Sequence, residues 1–152
     1  MSKIIQLTDK ASVIVDDEDF EYLNHWKWQL ASGAATRSKY PTGCYIMHRV
    51  IMKCPADKEV DHINNNPLDN RKENLRICTH AENMANSSIQ KNNTSGYKGV
   101  YWNANRKKWQ AQISVKNKVV SLGRFENIEE AARAYDKAAK ENYGIFAKLN
   151  NV

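Results

Sequence analysis

The chain has 152 residues, of which 41% are hydrophobic, and its formal net charge is +6. This length fits one domain or two small ones, with a core of modest size. No apolar run reaches the roughly eighteen residues of a membrane span, and the N-terminus lacks the apolar block of a signal peptide. We therefore expect a protein of the cytoplasm with no membrane partner.

The positive charge is concentrated in the second half of the chain. Residues 1–90 contain 11 Lys and Arg against 12 Asp and Glu, whereas residues 91–152 contain 12 against 5, so the balances are −1 and +7. Residues 91–125 hold 8 basic residues and no acidic one. Such a segment attracts polyanions, and a solvated surface that aids solubility is the alternative. The absence of acidic residues favours a nucleic-acid partner.

Residues 1–58 are predicted to form short strands and turns. SVIVDDEDFEYL moves from an apolar strand into an acidic turn, and HWKWQL alternates, with Trp26 and Trp28 on one face. ASGAATRSKYPTG is rich in turn-forming residues. CYIMHRVIM, which contains His48, is predicted to be a strand that enters a short helix.

Residues 59–86 are predicted to run strand, loop, strand, helix. The apolar entry at Val60 leads into the asparagine-rich loop NNNPLDN, and LRIC alternates as a second strand. Thr79 and Glu82 have the spacing of a capping box that starts a helix. We expect Asn83 in the first turns of that helix, pointing back at the strand that carries Asp61.

Residues 96–150 are predicted to form a second unit after the polar linker 87–95. GYKGVYW, KKWQAQISV and VVSLGRF show period-two apolar placement and are joined by the short turns NANR and KNK, which predicts a meander. The helix NIEEAARAYDKAAKENYG follows, with Asn127 as its N-cap and Gly144 at its end. Its apolar stripe is expected to pack on the sheet and leave the other sheet face free: Ala131, Ala132, Tyr135, Ala138 and Ala139.

Asp61 and His62 carry the chemistry of the first unit. A carboxylate and an amide oxygen are hard ligands that suit Mg²⁺, and a neutral histidine can take a proton from water. One metal ion and one general base are sufficient for phosphodiester hydrolysis. Neighbours on a strand point to opposite faces, so both groups serve one phosphate only if the strand ends or twists there. The spacing alone equally allows a loop histidine among turn-forming asparagines.

Three cysteines, at positions 44, 54 and 78, show no CxxC spacing. An odd number of unpaired cysteines predicts a reducing compartment rather than a disulfide scaffold. A zinc site formed by these residues and His80 is the alternative, and the missing paired spacing argues against it. Small buried hydrophobic residues are the preferred interpretation.

DHINNNPLDNRKENLRICTHAENMAN, with the upstream MHRVIM, resembles the HNH endonuclease family of the free-standing homing type found in bacteriophages and introns. The resemblance implies a ββα-metal fold and a divalent cofactor, Mg²⁺ or Mn²⁺. It implies that Asp61 and Asn83 bind the metal and that His62 is the general base. Asn74 would orient the histidine through its side-chain amide, and His48 would be structural. Family members with zinc-binding CxxC pairs exist, and the lack of such pairs here argues against structural zinc.

The C-terminal unit is similar to the DNA-binding domain of plant ethylene-response (Apetala-type) factors. The resemblance lies in scaffold positions such as Gly99, Trp109, Leu122 and Phe125 and in the alanine-rich helix. It implies that the three-stranded sheet enters the major groove of DNA. Because several contact positions differ, the base preference cannot be transferred. The candidate DNA-binding residues, together with two from the first unit, are Lys98, Tyr101, Trp102, Arg106, Lys107, Lys108, Arg71 and Arg76.

The sequence thus predicts an α+β protein: strands and an HNH nuclease module over residues 1–86, a linker over 87–95 and an Apetala-type domain over 96–150. The predicted activity is metal-dependent hydrolysis of double-stranded DNA in a bacterial or phage-infected cell, with no small-molecule substrate. A non-catalytic DNA-binding protein with a decayed nuclease module is the alternative, and an RNA-binding protein is another. The target sequence, nicking or double-strand cleavage, and the oligomeric state are left open.

Overall fold

The structure is a computed structural model of the chain, and it describes residues 1–39, 41, 43–116 and 118–152. The chain forms two compact units, Met1–His80 and Ala81–Val152, and each is described by itself. The boundary lies upstream of the predicted linker, whose limits stay a prediction. Within the described residues, no helix is long and apolar enough to cross a membrane.

The first unit begins with an antiparallel pair of strands, β1 (Ser2–Gln6) and β2 (Ser12–Asp16). Helix α1 (Asp17–Asn24) follows at once, so the predicted acidic turn is wrong. Three acidic residues fill the first turn of this helix, where the helix dipole favours them. Leu23 is buried and fixes the helix on the core.

A second sheet has the order β3-β4-β5 and consists of β3 (Gln29–Ala31), β4 (Ala34–Ser38) and β5 (Cys44–Ile46). The turn prediction for residues 31–43 is therefore wrong at β4, where threonine and arginine continue the pairing. Tyr40 and Thr42 of that segment lie outside the described residues. Helix α2 (Met47–Ile51) continues directly from β5, which confirms the prediction of a strand entering a short helix.

The two tryptophans before β3 differ in burial. Trp28 is buried and donates its indole N–H to the Leu23 carbonyl at 2.8 Å, whereas Trp26 is 40% exposed. Neither residue lies in β3, so the predicted alternating strand over HWKWQL is wrong for its first four residues. Trp28 belongs to the core of the first unit, which is formed by the buried apolar residues Ile5, Leu7, Val13, Val15, Leu23, Trp28, Ala35, Met47, Ile51, Val60 and Leu75.

The segment that carries Asp61 and His62 has the predicted order of elements. Strands β6 (Glu59–His62) and β7 (Leu75–Cys78) pair antiparallel, and helix α3 (His80–Asn86) follows. The loop between the strands attaches to β2, since Ile14 donates its N–H to the Leu68 carbonyl and accepts from the Asn70 N–H, both at 2.8 Å. Strand, loop, strand and helix are confirmed, and the ββα-metal assignment stays a prediction.

The second unit contains the predicted meander. Strands β8 (Val100–Asn103), β9 (Lys108–Val115) and β10 (Lys118–Phe125) form an antiparallel sheet of order β10-β9-β8. Asn117 in the last turn lies outside the described residues. The register of β10 shifts between Ser121 and Gly123, and this bulge changes which side chains of β10 face each way.

Helix α4 (Ile128–Tyr143) packs on this sheet as predicted. The Asn127 side chain accepts the Glu129 N–H at 2.7 Å, and Gly144 follows the last helical residue. All five residues of the predicted stripe are buried. Gly99 has φ +73°, and a Cβ there would lie 2.1 Å from a ring carbon of Tyr135. Glycine at this position therefore lets α4 approach the sheet.

The three cysteines do not share one environment. Cys78 is buried, Cys54 is half-buried and Cys44 is exposed. The interpretation of all three as small buried hydrophobic residues is therefore wrong for Cys44, because it lies on β5 with its side chain outside the core.

Candidate functional site

Asp61 and His62 are the last two residues of β6, and both are paired in register with β7, so their joint action on one phosphate stays a prediction. Asp61 and His62 are 4% and 9% exposed. Asp61 lies opposite Arg76 in the β6–β7 pair. Its Oδ2 accepts hydrogen bonds from Arg76 Nε at 2.7 Å and Nη2 at 2.6 Å. The buried carboxylate is thus balanced by a cation from the neighbouring strand, as a buried charge requires.

His62 is held by a residue that the sequence did not single out. Its Nε2 lies 2.8 Å from Oδ1 of Asn70, a side chain with no exposed surface. An amide oxygen only accepts, so Nε2 carries the hydrogen and Nδ1 carries the lone pair of the neutral ring. Asn70 is fixed by its backbone bond to Ile14. Its Nδ2 is buried and has no hydrogen-bond partner within the described chain.

Asn74 does not make the contact predicted for it. Its Nδ2 donates to the Asp69 carbonyl at 2.8 Å and its Oδ1 accepts the Asn64 N–H at 3.0 Å. It lies in a short 3₁₀ turn, Lys72–Asn74, which directs the amide across the neck of the loop instead of toward the histidine. Asn74 therefore closes the loop that presents Asn70, and Asn70 contacts the histidine.

His48 from α2 forms a wall of the site. Its ring centroid lies 4.9 Å from that of His62, with the rings perpendicular. Burial, together with the nearby His62 and Arg49, lowers the pKa of His48 to about 4. His48 is therefore uncharged at neutral pH and places no competing charge beside His62. This supports the structural role predicted for His48.

The two arginines expected to hold phosphates near the site are engaged inside the unit. Arg71 forms a two-pronged contact with Asp69, with both N–O distances 2.7 Å, and its guanidinium holds the pKa of that carboxyl below its usual range. Arg76 is bound to Asp61, and only 14% of its side chain is exposed. Both arginines therefore form ion pairs with carboxylates of the same unit, and their contact with DNA stays a prediction.

The proposed metal ligands lie in different units. Asp61 belongs to Met1–His80 and Asn83 to Ala81–Val152, so their joint coordination of a metal stays a prediction. Within the described residues, no three His, Cys, Asp or Glu side chains form a metal cluster. One carboxylate and one amide oxygen fit a hard cation that keeps waters and phosphate oxygens as its other ligands. The donor types therefore suit Mg²⁺ or Mn²⁺.

The face of the C-terminal sheet away from α4 is the candidate nucleic-acid interface. Tyr101, Gln110 and Arg124 are register partners across the three strands and share this face. We call it the open face; its other members are Asn103, Lys108, Gln112, Ser114, Val119 and Ser121. Arg124 was not predicted as a DNA contact, because strict alternation places it toward the helix and the bulge at Ser121 reverses that assignment.

Not every predicted DNA contact reaches the open face. Trp102 pairs in register with Trp109 on the helix side of the sheet, and the two rings meet edge-on at 5.1 Å. Arg106 and Lys107 lie in the turn between β8 and β9. Lys108 lies at the start of β9, 3.5 Å from the exposed Glu126 carboxylate. The structure thus brings Tyr101 and Lys108 together with Arg124 and separates them from Trp102.

Lys98 is directed away from solvent. Its Nζ donates to the carbonyl oxygens of Ala85 at 2.6 Å, Ser87 at 2.7 Å and Met84 at 3.3 Å. Met84 and Ala85 lie in the last turn of α3, where carbonyls lack partners within the helix, and Ser87 directly follows the helix. Burial lowers the pKa of Lys98 to about 8, with a further contribution from Lys148. Lys98 is therefore a helix cap, and its assignment as a DNA contact has no geometric support.

Comparison with known proteins gives two domain matches. The HNH endonuclease model matches residues 45–85, and the AP2 domain model matches residues 95–145. An uncharacterized HNH endonuclease of Acanthamoeba polyphaga mimivirus is 32% identical over 137 residues, which cover 86% of this chain and 70% of that protein. Protein 3.8 of Escherichia phage T7 is 33% identical over 95 residues, which cover 62% and 78%. No solved structure gives a significant match.

The match of the C-terminal unit extends to a plant protein. An ethylene-responsive transcription factor-like protein of Arabidopsis thaliana is 52% identical over 42 residues, which cover 28% of this chain and 18% of that protein. The resemblances to HNH endonucleases and to the plant DNA-binding domain are confirmed, and the homing type stays a prediction. The chain belongs to the HNH endonuclease family and carries an AP2 domain in its C-terminal region.

Proposed function

We propose that this protein is a DNA endonuclease that depends on Mg²⁺ or Mn²⁺, with its chemistry at Asp61 and His62 and its affinity in the C-terminal sheet. One observation carries the proposal: His62, at the end of β6, has Nε2 bonded to the buried Asn70 at 2.8 Å. A histidine oriented in this way, beside a buried carboxylate, is prepared to accept a proton at Nδ1.

His62 acts on the attacking water. With the hydrogen of Nε2 donated to Asn70, the lone pair of Nδ1 takes the proton as the water oxygen approaches phosphorus. The neutral ring of His48, 4.9 Å away, adds no positive charge that would oppose formation of the imidazolium. Asn74 holds the loop in which Asn70 lies, so it acts on the histidine through that loop.

Asp61 and Asn83 are the residues that would hold the metal. When bound, the ion supplies stabilisation of the charge that develops on the phosphate and the leaving 3′ oxygen. A carboxylate has two oxygens, so Asp61 can accept from Arg76 and bind a cation at the same time. Arg76 keeps the Asp61 carboxylate oriented through its two hydrogen bonds to Oδ2.

The open face of the AP2 domain supplies affinity. Tyr101, Lys108 and Arg124 share it, and Arg106 and Lys107 extend the positive charge into the adjoining turn. Charged contacts of this kind hold phosphates, and the intervening Gln110 and Gln112 are able to bond base edges. The homing type and the setting of an infected cell are supported by the family resemblance and by the viral sources of two relatives.

The test is cleavage of supercoiled plasmid by the full chain with Mg²⁺ or with EDTA. We expect cleavage only with metal, lost in His62→Ala and retained in His25→Ala, a variant at an exposed histidine of the same unit. Nicked product before linear product indicates one strand cut per chain. DNA that is shifted in a gel and stays intact with Mg²⁺ supports the non-catalytic binding protein. Preferential binding of an RNA competitor contradicts the choice of DNA.

A further inference from the structure

Arg37, on β4, is held by three aromatic rings. Its guanidinium carbon lies 4.1 Å from the ring centroid of Trp26, 4.1 Å from that of Tyr45 and 5.6 Å from that of Trp28. Tyr45 is its register partner on β5. Stacking on aromatic faces fixes a guanidinium in place without using its N–H groups, which lie in the guanidinium plane.

Those N–H groups have no partner within the described chain. Arg37 forms no side-chain hydrogen bond or ion pair there, and its Nε is buried. The other three arginines of this unit are satisfied: Arg71 and Arg76 by carboxylates, and Arg49 by the Lys58 and Pro55 carbonyls at 2.7 Å each. A buried donor without an acceptor costs free energy. Because Nε itself is enclosed, the Nη groups are the donors of this rigid, unpaired arginine that would meet an acceptor from outside.

A surface cleft adjoins this arginine. Its volume is about 330 Å³, and the residues that line it besides Arg37 are Thr8, Trp26, Lys27, Trp28, Gln29 and Ser38. They offer a second cation, two hydroxyls and an amide, and none of the described lining residues is acidic. We call it the Arg37 cleft. Charged side chains such as Arg and Lys, and neutral donors such as hydroxyls and amides, are the groups that contact nucleic-acid backbones. The Arg37 cleft offers both kinds beside an indole ring.

We propose that the Arg37 cleft binds a phosphate group of the DNA backbone and gives the first unit its own contact with the substrate. A planar guanidinium presents two parallel N–H groups to a phosphate, and Lys27 adds a second charge. The proposal rests on the proposed function, because DNA is the ligand in both. It concerns binding alone, since the cleft contains neither Asp61 nor His62.

The test is the affinity of the full chain for a labelled duplex in EDTA, measured over a range of salt. Arg37→Gln and Lys27→Gln should each flatten the slope of log K against log salt by about 0.9. Arg37→Gln should also weaken binding roughly tenfold at low salt, since a charged hydrogen bond is lost. Arg37→Lys should restore the slope but only part of the affinity. Lys10→Gln removes an exposed charge from the same unit and should leave the affinity nearly unchanged.

A second measurement does not depend on the folding of an arginine variant. In the unaltered protein, the side-chain ¹⁵N–¹H resonance of Arg37 Nε should shift when short duplex is added. A shift with inorganic phosphate but none with duplex would assign a free-anion site and overturn the proposal. Unchanged salt slopes in both Arg37→Gln and Lys27→Gln would overturn the proposal for the Arg37 cleft. The proposed function would be unaffected as long as the unaltered protein cleaves DNA. If the unaltered protein neither binds nor cuts DNA, the proposed function falls as well.

Discussion

The two units differ in what surrounds their basic side chains. In Met1–His80, Arg71 and Arg76 are ion-paired with Asp69 and Asp61 at 2.7 and 2.6 Å. In Ala81–Val152, Arg106, Lys107 and Arg124 have no side-chain hydrogen bond or ion pair with a described residue. The charge balances of these two ranges, 11 basic against 11 acidic residues and 12 against 6, are 0 and +6, and they understate the contrast. The first unit uses cations to orient its site, and the second presents them to solvent.

Lys98 and Arg37 each behave differently from what the charge of their region suggests. Lys98 lies in the basic half of the chain, yet its ammonium caps the carbonyls of Ala85 and Ser87. Arg37 lies in the balanced half, yet it has no acceptor among the described residues. Regional charge therefore indicates which unit attracts DNA, whereas the partners of each side chain decide which residue can bind it.

The largest expected effect is a loss of stability in the second unit that the first unit does not show to the same degree. Gly99→Ala should cost the second unit about 3 kcal/mol or more, because the new Cβ would lie 2.1 Å from the Tyr135 ring at a positive φ. Gly33→Ala is the matched control: φ is also positive, but no atom lies within 4 Å, so about 1 kcal/mol is expected. Chemical unfolding of the full chain measures both. Equal losses would contradict the close packing of α4 on the sheet.

Acid should weaken the first unit through His48. Its pKa is lowered to about 4 in the folded protein, so the unfolded chain binds more protons between its ordinary pKa and that value. The free energy of unfolding therefore has its full value above about pH 6.5. Protonation of His48 lowers it by up to about 3 kcal/mol as the pH approaches 4. Unfolding free energies at several pH values should show a flatter dependence in His48→Leu. The exposed control His25→Leu should keep the dependence, and a flat profile in the unaltered protein would contradict the account.

Asn70 should matter for cleavage rather than for DNA binding. Asn70→Ala removes the acceptor at His62 Nε2 and should lower the cleavage rate roughly 10²-fold, within the range of general-base catalysis. Asn70→Asp keeps an acceptor and should recover part of the rate. Single-turnover cleavage with saturating DNA makes the measurement. A full rate in Asn70→Ala, with the variant folded, would show that Asn70 does not position the histidine.

The smallest effects distinguish the lysines. The double variant Lys107→Ala, Lys108→Ala should flatten the salt slope of DNA binding by about 2. Lys98→Met should leave that slope unchanged and lower the stability of the second unit, because the carbonyls of Met84, Ala85 and Ser87 lose a charged donor. Binding isotherms and unfolding curves of the same samples separate the two results. A changed salt slope in Lys98→Met would show that Lys98 contacts DNA after all.

Local patterns predicted the second unit well. Period-two strands, the capping Asn127 and the small-residue stripe of α4 are set by neighbours in sequence, and each is confirmed. The bulge at Ser121 was not predicted, because the alternation of apolar and polar residues does not show where a residue is added. For this reason Arg124 was not predicted as a DNA contact, although it lies in register with Gln110 and Tyr101.

The first unit was harder to predict because its features depend on long-range pairing. The acidic segment after β2 forms a helix whose charges meet Lys3 and Lys72 from elsewhere in the chain. Arg76 meets Asp61 only through the register of β6 and β7. Asn70 reaches His62 because β2 anchors the loop. The sequence marked the catalytic candidates, but the residues that orient them became visible only in three dimensions.

The most direct test of the division between the units measures cleavage and binding on the same two proteins. His62→Ala should lose cleavage with Mg²⁺ and keep the DNA affinity of the unaltered chain. The Lys107→Ala, Lys108→Ala protein should lose affinity and keep the single-turnover rate when DNA is saturating at low salt. The control Lys10→Ala, Lys53→Ala, which removes the same charge from the first unit, should change neither. Cleavage at the unaltered rate by His62→Ala, or full affinity in the Lys107/Lys108 variant, would contradict the account.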